Sequence, residues 1–573
     1  MVILSIHGGH NASVAIISDK SGTLRCWCVE SERVDRIKMS YVCERYEGDD
    51  FSTITKFNWL QTHKSNLDTL IDHVLKEANI KMTEIDQVVL SQATACERLP
   101  KELLILPISH IPHHQAHAAL SYYTSNFDEA LVVICDGSGE QNKDGREVQT
   151  AWSCVGNKMK QLLCTRKNHP YQMGIGNAYE LFTYWLGYGY NGCGTTMALA
   201  SFCKGKGPYT DKIFCLENNG DVFLNPNFID IKGYVEKIGY KKQGNALYNL
   251  KHERMFRSIN LPIGYRLRNY GESSVQDDFI RMAGDIQYAT EKAVLHYISC
   301  IKKIAPTHHN LCLGGGTFLN CKMNSILRDL PWVKNIHVPT APGDGGLALG
   351  AALAAYFEKK ELCKVPQTAY IGTDIKNTKL KTSDSIYEKT PDDIYIETAK
   401  LLADGKLVGW CQGRAEFGPR ALGHRSLLAD PRRKDTPDRI NQMLKHREPF
   451  RPFAPAILKE KFSEYFEGTL PIPFMLETRQ VCPQKRLQVP AICHIDGSAR
   501  VQVVSRNNCP EFYKLLKMFD SITGVPILVN TSLNRNGEPI VDSSDDALKL
   551  LRKGLMDALV INNKIYFLKQ KDV

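Results

Sequence analysis

Apolar residues from Val2 to Ile6, a Gly8-Gly9 pair and a second apolar run from Ser13 to Ile17 predict strand, tight turn and strand. Leu67, Leu70, Ile71, Val74, Leu75 and Ala78 recur at helical spacing, and the short run Val88 to Leu90 predicts a buried strand. A second passage of the same kind follows. Phe279, Met282, Ala283, Ile286, Ala289, Ala293, Val294 and Ile298 line one face of a long helix, which leads to the strand Asn310 to Leu313, the glycines Gly314 to Gly316 and a helix from Asn320. Two passages of strand, glycine turn and helix suggest an α/β domain of two similar halves with a cleft between them. Residues 358 to 392 are polar and poor in apolar anchors, which predicts a connection between domains. Beyond it come a helix from Ile394 to Leu402, a strand from Leu407 to Trp410, a helix from Asp546 to Leu555 and a strand from Ala558 to Leu568.

At 573 residues the chain is too long for one ordinary core. Its 43% hydrophobic and 23% charged residues are those of a globular protein. No run of about 18 apolar residues predicts a membrane span, and the start lacks the pattern of a signal peptide. The 18 cysteines are scattered through apolar runs without a C-x-x-C pair, which predicts reduced thiols in the cytoplasm and disfavours a zinc ribbon. The formal charge is +10, and ten of the 72 basic residues fall between Cys411 and Arg451 against five acidic ones. That concentration predicts an anion site and argues against a continuous nucleic-acid surface.

Pro112 sits where helices start, which places His113 and His117 on one face of a first turn, as two ligands of one metal require. The pair taken alone reads more readily as a polar helix start packed against aromatics. Further ligands are expected from carboxylates at strand ends: Asp136 after Leu131 to Cys135, and Asp344 within Pro342-Gly343-Asp344-Gly345-Gly346. The Glu of H-E-x-x-H is missing, so a zinc metallopeptidase is not supported, and the His and Asp set suits iron, manganese or zinc. Asp136-Gly137-Ser138 also fits a type I turn, and Gly314, Gly315 and Gly316 would let the backbone approach a nucleotide.

Phe417-Gly418-Pro419-Arg420 through Ser426, then Lys445, Arg447 and Arg451-Pro452-Phe453, place basic side chains in loops fixed by Gly and Pro. Arg500 and the run Asn530-Thr531-Ser532 follow. Rigid guanidinium forks suit bidentate contacts to phosphate or carboxylate.

Taken together, HHQAHAA, DGSGE, LGGGTFLNCKMN, PGDGG, EFGPRALGHRSLLADPR, FRPFAPA, DGSARVQ and NTSLNRNGEPIV make the chain resemble the NodU/TobZ-type carbamoyltransferases. The resemblance implies an actin/Hsp70-like (ASKHA) ATPase-fold domain over 1–360, like the tRNA threonylcarbamoyl-transferase domain. A linker over 361–390 and a YrdC-like α/β domain over 391–573 would follow. It also implies a reaction: carbamoyl phosphate and ATP give carbamoyl-adenylate, and the carbamoyl group then passes to a hydroxyl or amine of a small molecule, a sugar or secondary metabolite.

Residue by residue, the resemblance makes His113, His117, Asp136 and Asp344 the metal ligands, with iron(II) the implied metal and Mg2+ accompanying ATP. Arg420, Lys445, Arg451 and Arg500 would hold carbamoyl phosphate, with Asn530, Thr531 and Ser532 lining that site. Lys38, Gly314, Gly315, Gly316 and Asn320 would contact the nucleotide in the first domain. An acceptor hydroxyl needs a base; His10 is the first candidate, although it serves equally as a turn residue, and Asp230 is the second. Three departures stand out: His10-Asn11 where relatives have His-Asp, Cys193-Gly194-Thr195 where they often have Glu-Gly-Lys, and Gly314 where a small residue is common. Other acyl-adenylate transferases and a tRNA-modifying threonylcarbamoyl-type enzyme are the alternatives. A small-molecule kinase of the same superfamily would need neither the arginine block nor the histidine pair. A homo-oligomer is compatible with the resemblance; membrane and nucleic-acid partners are not expected.

Overall fold

The computed structural model describes the chain except residues 41–65, 92–98, 169–171, 190–191, 230–260, 263–264, 269–271, 274, 367–368, 378–384 and 570–573. The chain forms two compact units. Among the described residues, the first joins Met1–His10 to Ile85–Lys364, and the second joins Asn11–Ser40 and the segment up to Glu84 to Val365–Val573. Two N-terminal segments that the sequence expectation placed in a domain over 1–360 therefore cluster with the second unit.

In the first unit Val2–His7, Gln87–Ser91 and Ile108–Ile111 run parallel. A second sheet orders Asn335–His337, Asn310–Gly314, Glu129–Cys135 and Gly145–Val155, with Lys158–Lys167 antiparallel to the last. The central strands are apolar and fully buried, as strands covered on both faces must be. Leu347–Phe357 is buried on every side and packs on His113–Tyr123, where a Cβ on Gly350 would lie 2.1 Å from the Ala116 carbonyl oxygen. Only glycine admits that approach. The long helix is Asp277–Ile304, opened by Asp277 and Asp278 and closed by Lys302 and Lys303, charges that oppose the helix dipole at each end.

In the second unit the sheet order is Ile386–Lys389, Lys564–Leu568, Ala558–Ile561, Val408–Cys411, Arg425–Ala429, Ile527–Ser532, Ala454–Leu458 and Gln502–Val504. The hairpin Ser13–Ser18/Arg25–Glu30 and the helix Leu67–Ala78 belong to this unit. Ile386–Lys389 is an edge strand, and Val365, Ala369, Ile371 and Ile375 are buried, so the described part of 361–390 is packed structure and not a linker. Its polar composition is that of an edge, where half the positions meet water. The final strand foreseen over Ala558 to Leu568 is a hairpin, Ala558–Ile561 and Lys564–Leu568, turning at Asn562 with φ +53°. No described helix is long and apolar enough to cross a membrane.

Candidate functional site

The helix His113–Tyr123 starts directly after Pro112, so His113 and His117 stack one turn apart and both are buried. Their Nε2 atoms lie 3.2 Å apart. Asp136, one residue past Glu129–Cys135, puts Oδ2 2.9 Å from His113 Nε2 and 3.6 Å from His117 Nε2. Asp344, in the short turn before Leu347–Phe357, puts Oδ1 3.6 and 3.5 Å from the same two nitrogens. The four candidate ligand atoms lie within 4.8 Å of one another. Two nitrogens at that separation suit bonds of about 2.1 Å meeting at roughly 100°, so the donor set fits one metal ion.

Each carboxylate spends its second oxygen on the scaffold. The Gly316 amide donates to Asp136 Oδ1 at 3.1 Å, and His10 Nδ1 lies 2.9 Å from Asp344 Oδ2. Gly315 turns with φ +93°, and a Cβ there would fall 2.2 Å from the Cys135 carbonyl oxygen. Burial pushes His117 down, but hydrogen bonds to Asp136 and Asp344 prevail and lift it to about 9. Burial also works against the carboxylates, yet the histidines hold both Asp136 and Asp344 well below the usual range.

His10 keeps 47% of its side chain exposed beside this cluster, so an incoming group can reach it. His7, which the sequence reading passed over, orients it. Burial holds His7 down to about 3, and this neutral ring reaches Ser91 Oγ at 2.9 Å and the His10 carbonyl at 3.3 Å. Glu180 was also missed. Burial lifts its carboxyl to about 8, with His10 and Lys167 pulling it down and Asp136 pushing it up. Asp230 lies outside the described residues. Asn320 is engaged at both ends of its amide: Oδ1 caps Met323 N at 3.2 Å, and the amide pairs with Gln287.

Lys445 is buried in the second unit, and its ammonium donates to Ser532 O and Oγ and to Asn534 O and Oδ1 at 2.5 to 3.0 Å. Burial, then Arg447, Lys38 and Arg451, push its pKa well down. Arg447 stacks on Phe453 at 4.3 Å; burial, then Arg451 and Arg500, pull its pKa down. A guanidinium in that position still carries its charge at neutral pH. Asn530 gives its Nδ2 to Ala421 O and Gln502 Oε1, and Thr531 pairs with Leu427 in the sheet. Arg420 is half-buried after Gly418-Pro419.

Lys38 belongs to this second unit, where Lys445 feels its charge, and not to the unit that carries Gly314–Gly316. The expectation of a shared nucleotide contact in one domain is corrected on that point. Arg447 lies within the basic set, and Asn534 accepts from Lys445 at its carbonyl and its side-chain oxygen.

Fold and sites together define an α/β protein of two units, one holding an imidazole–carboxylate cluster and the other a pocket of cations. Residues 93–353 match the family model described as carbamoyltransferase N-terminus, and residues 399–568 match carbamoyltransferase C-terminus. The chain is 35% identical over 492 residues to an uncharacterized protein of Synechocystis, covering 80% of this chain and 76% of that one. It is 31% identical over 562 residues to nodulation protein NolNO of Sinorhizobium fredii, covering 95% and 77%. Among solved structures it is similar to full-length HypF in the phosphate- and nucleotide-bound form, at 12% identity and a TM-score of 0.33, over 62% of this chain and 55% of that one. The chain belongs to the carbamoyltransferase family.

Proposed function

We propose that the chain makes carbamoyl-adenylate from carbamoyl phosphate and ATP and passes the carbamoyl group to a hydroxyl or amine of a small molecule, a sugar or secondary metabolite. The observation that carries the reading is the convergence of His113, His117, Asp136 and Asp344 in a chain of this family. In the first stage carbamoyl phosphate and water give carbamate and phosphate, and carbamate displaces pyrophosphate from ATP. In the second the acceptor attacks the carbamoyl carbon and AMP leaves.

The first stage belongs to the second unit, a YrdC-like domain in this reading. Arg447, Arg451 and Arg500 neutralise the phosphate dianion and the charge that grows on the leaving group. Lys445 donates to Ser532 and Asn534, so it holds those two residues together beside the arginines.

The second stage belongs to the first unit, read as an ASKHA-type fold in which Gly314 to Gly316 bring backbone close to the nucleotide. A divalent ion, iron(II) by family resemblance, would supply Lewis-acid stabilisation to the departing phosphate. His113, His117, Asp136 and Asp344 would hold it. His117 would have to present a neutral imidazole to hold such an ion, so binding there would compete with a proton. His10 takes the acceptor proton, its Nδ1 turned to Asp344 in the way a carboxylate raises imidazole basicity. Free thiols at the described cysteines fit work in the cytoplasm.

The test incubates metal-loaded protein with ATP and carbamoyl phosphate without an acceptor and follows pyrophosphate and carbamoyl-AMP. Both should accumulate. Their absence sinks the proposal.

A further inference from the structure

The segment Ser31–Ser40 is closed on itself. Ser31 Oγ donates to the Ser40 carbonyl at 3.0 Å, and the Ser40 hydroxyl donates to Ser31 Oγ at 2.7 Å, with both serines fully buried. Between them the chain turns twice through the left-handed region without glycine, at Arg36 (φ +64°) and Met39 (φ +60°). Such turns persist only where the surroundings over-determine them. Here Glu32 Oε2 accepts from Met39 N at 2.9 Å, and Asp35 Oδ1 accepts from Ile37 N at 2.9 Å.

The loop so held grips two others of its own unit. Arg33 donates to the Gly418 carbonyl at 2.8 Å, while Glu30 Oε2 accepts from Gly418 N at 3.2 Å. Gly418 is thus held at both polar atoms, two residues before Arg420. Arg36 donates to the Ile540 carbonyl at 2.6 Å and to Pro539 at 2.9 Å, at the far end of the loop that begins with Ser532 and Asn534. Nothing about anion binding requires these arginines to be spent on carbonyls. As solvated cations they would add charge to the pocket; as clamps they give up direct contact and fix backbone.

We propose that Ser31–Ser40 is a clasp that sets the two anion-binding loops of the second unit, with Arg36 as its positioning residue. The inference rests on reading that pocket as a phosphate site. Arg36 touches no ligand in this scheme. It acts by holding Pro539 and Ile540, and through them the spacing of Asn534 and Ser532 around Lys445. A guanidinium reaches the two carbonyls from two nitrogens of one rigid plane, a geometry that the single, freely rotating ammonium of a lysine does not reproduce.

The experiment titrates inorganic phosphate into the full-length chain by calorimetry, with Arg36→Lys, Arg36→Met and Arg451→Ala beside it. Near-UV circular dichroism checks each variant's packing. Arg36→Lys keeps the charge and loses the planar fork that fixes the two carbonyls, so it separates geometry from long-range attraction. We expect Arg36→Lys to bind phosphate about threefold more weakly and Arg36→Met about tenfold, in keeping with hydrogen bonds that act at one remove. A purely structural role would lower the melting temperature and leave the affinity of the folded protein unchanged. Arg36→Lys is decisive, including where Arg36→Met does not fold: affinity equal to the unaltered chain's overturns the clasp. Equal affinity in Arg451→Ala, or no binding at all, overturns the phosphate reading itself.

Discussion

The two sites solve opposite electrostatic problems. In the first unit His113 and His117 face Asp136 and Asp344, so each charge is offset before any ligand arrives. In the second unit Lys445, Arg447, Arg451 and Arg500 crowd together, each disfavouring its neighbours' charge. A balanced cluster keeps its geometry without a ligand. A cationic pocket stores repulsion that an anion relieves, so binding and folding of that unit are coupled.

The largest effect should divide the two sites by function. Arg451→Ala is expected to cut carbamoyl-adenylate formation by about 100-fold or more, whereas His117→Ala spares it and blocks transfer to acceptor. Rapid-quench product analysis reads both. Equal loss of adenylate in the two variants breaks the division.

Gly315→Ala sharpens the comparison from the scaffold side. The new Cβ meets the Cys135 carbonyl, and the strained turn should cost about 3 kcal/mol in urea denaturation. It should also lower the metal content measured by mass spectrometry, since Gly316 N would leave Asp136. Normal metal content with lost stability would show the turn to be independent of the cluster.

Inorganic phosphate at about 100 times its Kd should stabilise the chain by roughly 2.7 kcal/mol, and sodium chloride should weaken that gain. Stabilisation unmoved by salt would remove stored repulsion as its cause.

The smallest effect is a pH slope. Glu180 has a folded pKa of about 8 against its ordinary 4.5. Between those values the folded chain holds a proton that the unfolded chain has released. Stability therefore falls as pH rises through that window, by at most about 1.4 kcal/mol per unit for one proton. Glu180→Gln should lack that part of the slope in denaturation series from pH 5 to 9. Parallel curves for the two proteins would refute it.

Legibility in the sequence followed how local each feature was. His113 and His117 were readable because Pro112 and a four-residue step set a helix face. Asp136 and Asp344 were readable because carboxylates at strand ends and glycine turns converge on one edge of an α/β sheet. Glu180 was hidden because its helix, Ile175–Trp185, is otherwise largely apolar and aromatic, so nothing in the pattern set its half-buried carboxyl beside His10 and Asp136. Lys38 was misplaced for a different reason. Its position near the N-terminus suggested the first domain, but Arg33 and Arg36 tie its loop to Gly418, Pro539 and Ile540, some 385 and 503 residues away. Membership of a core is a property of tertiary contacts, and no periodicity encodes it.

That discontinuity has a consequence during synthesis. Asn11–Ser40 and Ser65–Glu84 leave the ribosome long before Val365–Val573, the bulk of the unit they complete. Translation at roughly 5 to 20 residues per second would separate Glu84 from Val365 by about 15 to 60 seconds. Throughout that interval the hairpin and the helix Leu67–Ala78, which pack on each other, lack the rest of their unit's core. The second unit can close only once Val365–Val573 has been made and meets the two earlier segments. Its core therefore stays incomplete for the whole time the intervening unit is being made.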